Sequence, residues 1–185
     1  MSNRSMCRAV GLVVLLSFAM SIGSSCSVSE TLDAPRCSPN SSEVLISAQS
    51  VPTASLLACF DTLPTGWSVG TVDIGDQGTV VVFDSDRAGP SAARFRYTAA
   101  CEIGAATQTP SDFERADRFE WIKEVQPRFR ANRYYRFDGG CVIWEFDFDH
   151  DAPAAMAVEL GHSLQFVDRA EVNADMRAVF VDEDL

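Results

Sequence analysis

The spacing of apolar and polar residues changes character several times along the chain. Residues 9–20 (AVGLVVLLSFAM) form an apolar run of 12 in which Ser17 is the one polar side chain. A relaxed membrane span needs ~20 residues, so this run suits the hydrophobic part of an export signal instead. Residues 27–43 (SVSETLDAPRCSPNSSE) are polar and rich in serine, with two prolines, which is linker composition. From Val44 onward the pattern is that of a folded domain. Residues 44–46 predict a short strand. Pro52 followed by residues 53–60 (TASLLACF) predicts a short helix, stopped at Asp61-Thr62-Leu63-Pro64. Residues 67–74, 79–84 and 92–98 are dense in β-branched and aromatic side chains and predict strands, with turns at 75–78 and 86–90. Residues 119–125 predict a fourth.

The clearest hairpin runs from 130 to 149, where Asp138-Gly139-Gly140 is a tight-turn signal between two aromatic runs. With Gly139-Gly140 as the loop, Phe137 would face Val142 and Tyr135 would face Trp144. Val142, Trp144, Phe146 and Phe148 then share one face, and Glu145, Asp147 and Asp149 share a wet one. Pro153 fits a helix start, and Met156, Leu160, Leu164 and Val167 recur at helical spacing. Val172, Met176, Val179 and Phe180 predict a second helix, before an acidic tail at Asp182-Glu183-Asp184. Strands followed by helices predict an α+β fold: an antiparallel sheet of about five or six strands with helices packed on one face. The expected organisation is a signal peptide at 1–25, a polar tether at 26–43 and a single globular domain at 44–185.

Composition narrows the function. The chain has 185 residues and a net charge of −11, which disfavours a general nucleic-acid binder because that needs a positive field. Two histidines leave little room for metal or histidine-based chemistry. Arg4 and Arg8 precede the apolar run, and Gly23-Ser24-Ser25-Cys26 follows it. A cut after Ser25 fits ordinary signal peptidase and would also leave Cys26 as the new N-terminus, as in bacterial lipoproteins. The segment resembles a lipobox, with Gly23 where that pattern prefers a large aliphatic residue and Ile22 one place further out. The cut removes two arginines and no acid, leaving 13 basic against 26 acidic residues, a net −13. Such a domain should not lie flat on anionic lipid. The 17 residues 27–43 reach ~20–25 Å as a coil, beyond a Debye length of ~8 Å.

The six cysteines fit this address. Cleavage removes Cys7, lipidation would use Cys26, and Cys37, Cys59, Cys101 and Cys141 remain to pair in an oxidising compartment. Three connectivities are open. Sequential pairing, Cys37–Cys59 and Cys101–Cys141, is favoured, and the second loop would contribute ~4 kcal/mol by chain entropy. A paired Cys37 would pin the second half of the tether to the domain. No two cysteines have the C-x₂₋₄-C spacing of a zinc site.

Several motifs carry candidate chemistry. Gly66-Trp67-Ser68-Val69-Gly70 matches G-x-S-x-G, with Asp147 and His162 following in hydrolase order. A nucleophile elbow, however, needs a strand before the serine and a helix after it, whereas here Pro64-Thr65 precedes and a strand pattern follows. Asp147-Phe148-Asp149-His150-Asp151 resembles the start of a calcium loop. It lacks the glycine at loop position six (Ala152) and the glutamate at position twelve (Val158), and its first two carboxylates would sit ~7 Å apart on a strand. Asp73, Asp76, Asp84 and Asp86 read as turn acids. Arg128, Arg130, Arg133 and Arg136 interleave with Phe129, Tyr134, Tyr135 and Phe137. That pattern could stack single-stranded nucleic acid, but the acids on the facing strand favour cross-strand ion pairs, with a functional anion patch as the alternative. Glu159 and His162, three apart, read as a surface contact.

Some of these residues also carry a resemblance. Ser50-Val51-Pro52-Thr53-Ala54-Ser55-Leu56, Cys59, Leu63-Pro64-x-Gly66-Trp67, Ser85-Asp86-Arg87-Ala88-Gly89, Cys101 and Tyr134-Tyr135-x-Phe137-x-Gly139-Gly140-Cys141 resemble a group of exported actinobacterial proteins. These are small membrane-associated or lipoprotein chains of uncharacterised function, and the likeness covers about residues 50–180. It implies no activity and no catalytic residues. The expected function is therefore a non-catalytic cell-envelope lipoprotein, or a secreted interaction or structural module. Its partners would be the membrane, through a lipid on Cys26, and an envelope protein, with neither nucleic acid nor a cofactor. The alternatives are a small extracytoplasmic hydrolase using Ser68 or a carboxylate pair, or a small-ligand or calcium-binding domain.

Overall fold

The structure is a computed structural model that describes residues 34–38, 41–125, 127–149 and 151–182. The signal segment, Cys26, His150, Glu183 and Asp184 lie outside the described residues, as do the side chains of Met176, Val179 and Phe180.

The elements in chain order are α1 (Ser42–Ser50), β1 (Leu56–Phe60), β2 (Trp67–Gly75), β3 (Gly78–Ser85), β4 (Gly89–Thr98), β5 (Thr107–Thr109), β6 (Asp117–Glu124), β7 (Arg130–Phe137), β8 (Gly140–Asp147), α2 (Ala155–Gly161), β9 (Leu164–Asp168) and α3 (Arg169–Asp182). Two antiparallel sheets result. One has seven strands in the order β2-β3-β4-β8-β7-β6-β5, and the other is a ribbon of β1 and β9. Among the described residues the fold is predominantly antiparallel β with three short helices. The expected five or six strands were too few, because β5, β1 and β9 were not foreseen. Nor do the helices form a layer of their own over one face.

The sheet has one dry face. Phe83, Phe95, Tyr97, Tyr135, Val142, Trp144 and Phe146 are buried there, alternating along their strands with residues of the opposite face. The β1–β9 ribbon covers this face. Phe60 meets the rings of Phe83, Phe95 and Trp144 at 5.2, 4.9 and 5.8 Å, and Phe166 meets those of Tyr135 and Phe137 at 5.9 and 5.2 Å. The Tyr97 hydroxyl donates to the Leu56 carbonyl at 2.9 Å, and burial pushes its pKa up to about 12. Met156, Ala157 and Leu160 of α2 complete the same core. On the far side of the ribbon, Leu57 and Cys59 pack with Val44 and Ala48 of α1 and Val172 of α3.

Residues 53–60 are not a helix. Leu56–Phe60 is a strand buried on both sides, so it lacks the alternation that reveals half-buried strands. Residues 44–46 are not a strand either. They belong to α1, which Ser41 caps by accepting the Val44 N–H at 3.4 Å. The helix expected to carry Leu164 and Val167 ends at Gly161, and both residues lie in β9. Trp67–Gly75 is a strand as expected, with a bulge between Val69 and Thr71 that turns both Val69 and Val72 toward the core.

The 130–149 hairpin has the expected faces but a different register. Tyr135 pairs with Val142 and Arg133 with Trp144, so the loop is Asp138-Gly139. A two-residue slip leaves every side chain on its expected face. Gly139 is required there: its φ is +66°, and a Cβ would meet the Thr53 carbonyl oxygen at 1.9 Å. The turn docks on the start of β1, where the Ser55 N–H donates to the Asp138 carbonyl at 2.9 Å.

Candidate functional site

The four cysteines pair sequentially, as favoured. Cys37–Cys59 joins positions 22 apart with Cα atoms 5.0 Å apart, and Cys101–Cys141 joins positions 40 apart with Cα atoms 5.9 Å apart. The first bond pins the segment before α1 to β1, where the Phe60 N–H also donates to the Pro35 carbonyl at 2.7 Å. The second half of the expected tether is thus packed on the domain, with Ala34 buried. The second bond holds the segment after β4 against the outer face of the seven-stranded sheet. Ile103 and Ala106 pack there on Tyr134, Cys141 and Ile143. The outer face is therefore covered at one end and open at the other.

The hydrolase residues do not meet. Ser68 lies within β2 opposite Asp84, not at a strand-to-helix turn. Asp147 is on β8, three strands away, or ~14 Å. His162 follows α2, which packs on the opposite face of the sheet. The candidate calcium acids grip a guanidinium instead. Arg128 Nη2 lies 2.9 Å from Asp147 Oδ1 and 3.3 Å from Asp149 Oδ1. Among the described residues, no three His, Cys, Asp or Glu side chains converge as a metal set. Asp84 accepts the Ser91 N–H at 2.7 Å and so supports a positive φ at Ser91. Glu159 pairs with Arg87 at 3.3 Å.

The four interleaved arginines make cross-strand ion pairs. Arg130 pairs with Asp147 at 3.6 Å, Arg133 with Glu120 at 2.6 Å and Arg136 with Asp117 at 3.6 Å, alongside the Arg128 contacts. Arg133 differs from the others in lying on the core face. It is buried, and its guanidinium carbon sits 5.8 Å from the Phe146 ring centroid. Glu120 also accepts from Arg118 at 2.9 Å. Burial pulls the Glu120 pKa upward, but the hydrogen bonds from Arg118 and Arg133 outweigh it and hold the carboxyl below its ordinary range.

Two of the clefts among the described residues are candidate binding surfaces. One, of about 620 Å³, has Leu56, Phe113 and Phe166 among its apolar lining and Asp112, Glu114 and Glu171 at its rim. Asp112, Arg115 and Asp168 are matched internally, whereas Glu114 and Glu171 have no ion pair among the described residues. Arg118 holds Asp112 at 2.8 Å, and Arg115 pairs with Asp168 across the opening. The hydrogen bond from Arg115 and the Ala170 N–H lower the Asp168 pKa.

The other cleft, of about 310 Å³, lies on the open end of the outer face. Arg94, Lys123 and Arg130 bring three cations to it, beside Asn132, Glu145 and Asp147. Sequence reasoning missed Arg94 and Lys123. They come from different strands, and the one local sign was that Arg94 and Arg96 alternate with the core residues Phe95 and Tyr97. Comparison with known proteins finds no matching family model, no matching curated protein and no matching solved structure.

Proposed function

We propose that the chain is a non-catalytic extracytoplasmic interaction module, anchored by lipid on Cys26 and akin to the exported actinobacterial group its motifs resemble. The observation that carries this reading is the pair of disulfides, Cys37–Cys59 and Cys101–Cys141. Such bonds belong to an oxidising, extracytoplasmic environment. With four cysteines paired and Cys7 in the signal segment, Cys26 is left over for the lipid. No described helix is long and apolar enough to cross a membrane; the attachment proposed is an acyl chain on Cys26. The separation of Ser68, Asp147 and His162 supports a binding role over the hydrolase alternative.

The test is the intact mass of the protein from a native membrane fraction, with thiol labelling before and after reduction. The expected result is a lipid adduct on Cys26 and four labels gained only on reduction. An unlipidated chain, or free thiols at Cys37, Cys59, Cys101 and Cys141 before reduction, would overturn it. Cross-linking on intact cells should then give one reproducible envelope partner.

A further inference from the structure

The open end of the outer sheet face carries an arrangement that ion pairing within the protein does not use up. The strand register aligns Arg94 with Glu145, Glu145 with Asn132, and Asn132 with Trp121. These four residues form one straight row across β4, β8, β7 and β6, ~14 Å long. At its end Trp121 is 41% exposed, whereas Trp67 and Trp144 are buried. Lys123 sits at a bulge in β6. Its Nζ lies 4.9 Å from the Trp121 ring centroid and donates to Asn132 Oδ1 at 2.9 Å.

Charge decides what the row would take. Glu145 is held by Arg96 at 2.9 Å, and Asp147 by Arg128 and Arg130. Arg94 and Lys123 have no ion pair with any described carboxylate. The cleft therefore presents surplus positive charge on a chain of net −11. The long-range field repels anions, so an anion must be recognised at contact. The shape adds a second condition. The cleft is open on the sheet face, and a ligand that reaches from it to Trp121 at the end of the row must offer an apolar face to the indole and polar edges to planar side chains. A pyranose ring has that form. Its hydroxyls can share the amide of Asn132 and the carboxylate of Glu145, and a carboxylate or phosphate on it can meet the guanidinium of Arg94 and the ammonium of Lys123.

We infer that this face is a binding site for an acidic saccharide, with Trp121 as the stacking platform and Arg94 and Lys123 as the anion contacts. The choice of a surface glycan as the source rests on the extracytoplasmic reading above; the site itself rests on its geometry.

The test is calorimetric titration of the purified, disulfide-bonded chain with three probes: trigalacturonate, neutral maltotriose and inorganic phosphate. Trigalacturonate should bind, and maltotriose and phosphate should bind at least tenfold more weakly. Arg94→Gln, Lys123→Gln and Trp121→Ala should each weaken trigalacturonate about tenfold, while Arg87→Gln, remote from the cleft, should leave it unchanged. Arg94 and Lys123 hold no carboxylate in place, so their variants should fold normally, as circular dichroism would verify. No binding of trigalacturonate would overturn the site. Equal binding of maltotriose would overturn the anion contacts. Phosphate binding as tight as trigalacturonate, with Trp121→Ala silent, would reduce the site to a bare anion patch and overturn the saccharide. The titration is independent of Cys26 processing, so its failure is distinguishable from failure of the lipoprotein reading.

Discussion

The two faces of the seven-stranded sheet exclude water by different means. The inner face does so with side chains. Rings of Phe60, Phe83, Phe95 and Phe146 surround Trp144 at centroid distances of 5.3–5.8 Å, and a two-stranded ribbon lies on top. The outer face does so only at one end, where a bonded cysteine holds a short segment down over Tyr134 and Ile143. Beyond that segment it is largely polar, and its charges meet in pairs except at Arg94 and Lys123. An aromatic layer covers its sheet by area alone. A segment with little apolar surface needs a covalent constraint to stay in place.

Four measurements would break or sharpen this contrast. Trp144→Ala should have the largest effect, about 5 kcal/mol in urea unfolding, because it opens a cavity among four rings. The buried Trp144 Nε1 has no described partner, so its removal breaks no hydrogen bond and the loss is one of packing. Replacing Cys101 and Cys141 by alanine should cost about 4 kcal/mol by the chain-entropy model for positions 40 apart. Hydrogen exchange should rise in residues 99–106 and over Tyr134 and Ile143 while the inner face stays protected. Uniform exposure of both faces would show that the outer cover is not a separate unit.

Glu120→Gln should cost about 2 kcal/mol, because it leaves the buried Arg133 and half-buried Arg118 without their shared carboxylate. The folded pKa of Glu120 is depressed, so its contribution is complete above the unfolded value of ~4.3 and is lost as pH falls through the folded value. The variant's acid-unfolding limb should therefore be flatter than that of the native chain. Arg87→Gln should change stability by less than about 0.5 kcal/mol, since the Arg87–Glu159 pair is half exposed on both sides.

How much of this was readable in advance depended on whether an element had two environments or one. Strands β3, β4, β7 and β8 each set a dry face against a wetter or separately covered one, and their alternation made them legible. The hairpin's sequence predicts its faces but a register two residues away from the observed one, because parity is written in the side chains while the loop docks against Thr53. β1 is enclosed on both sides, so TASLLACF carried no period and its Pro52 suggested a helix start. Met156, Leu160, Leu164 and Val167 kept a helical interval across the end of α2 by coincidence, since Leu164 faces the same core from a strand. Of the candidate chemistry, the cysteine pairing was legible from count and order. The row from Arg94 to Trp121 was not, because its members are brought together only by the pairing of four strands.

The Cys37–Cys59 bond also sets how the domain would carry a mechanical load. A pull on the N-terminal side reaches Cys37 and passes through sulfur directly to Cys59. Residues 38–58, α1 included, lie in a closed covalent loop off the line of tension. The load enters at β1, hydrogen-bonded along its length to β9 from Leu56–Asp168 to Phe60–Leu164. Tension from the N-terminal side would thus be resisted by a strand clamped between two packed layers, and reduction of this one bond would bring α1 into the line of load.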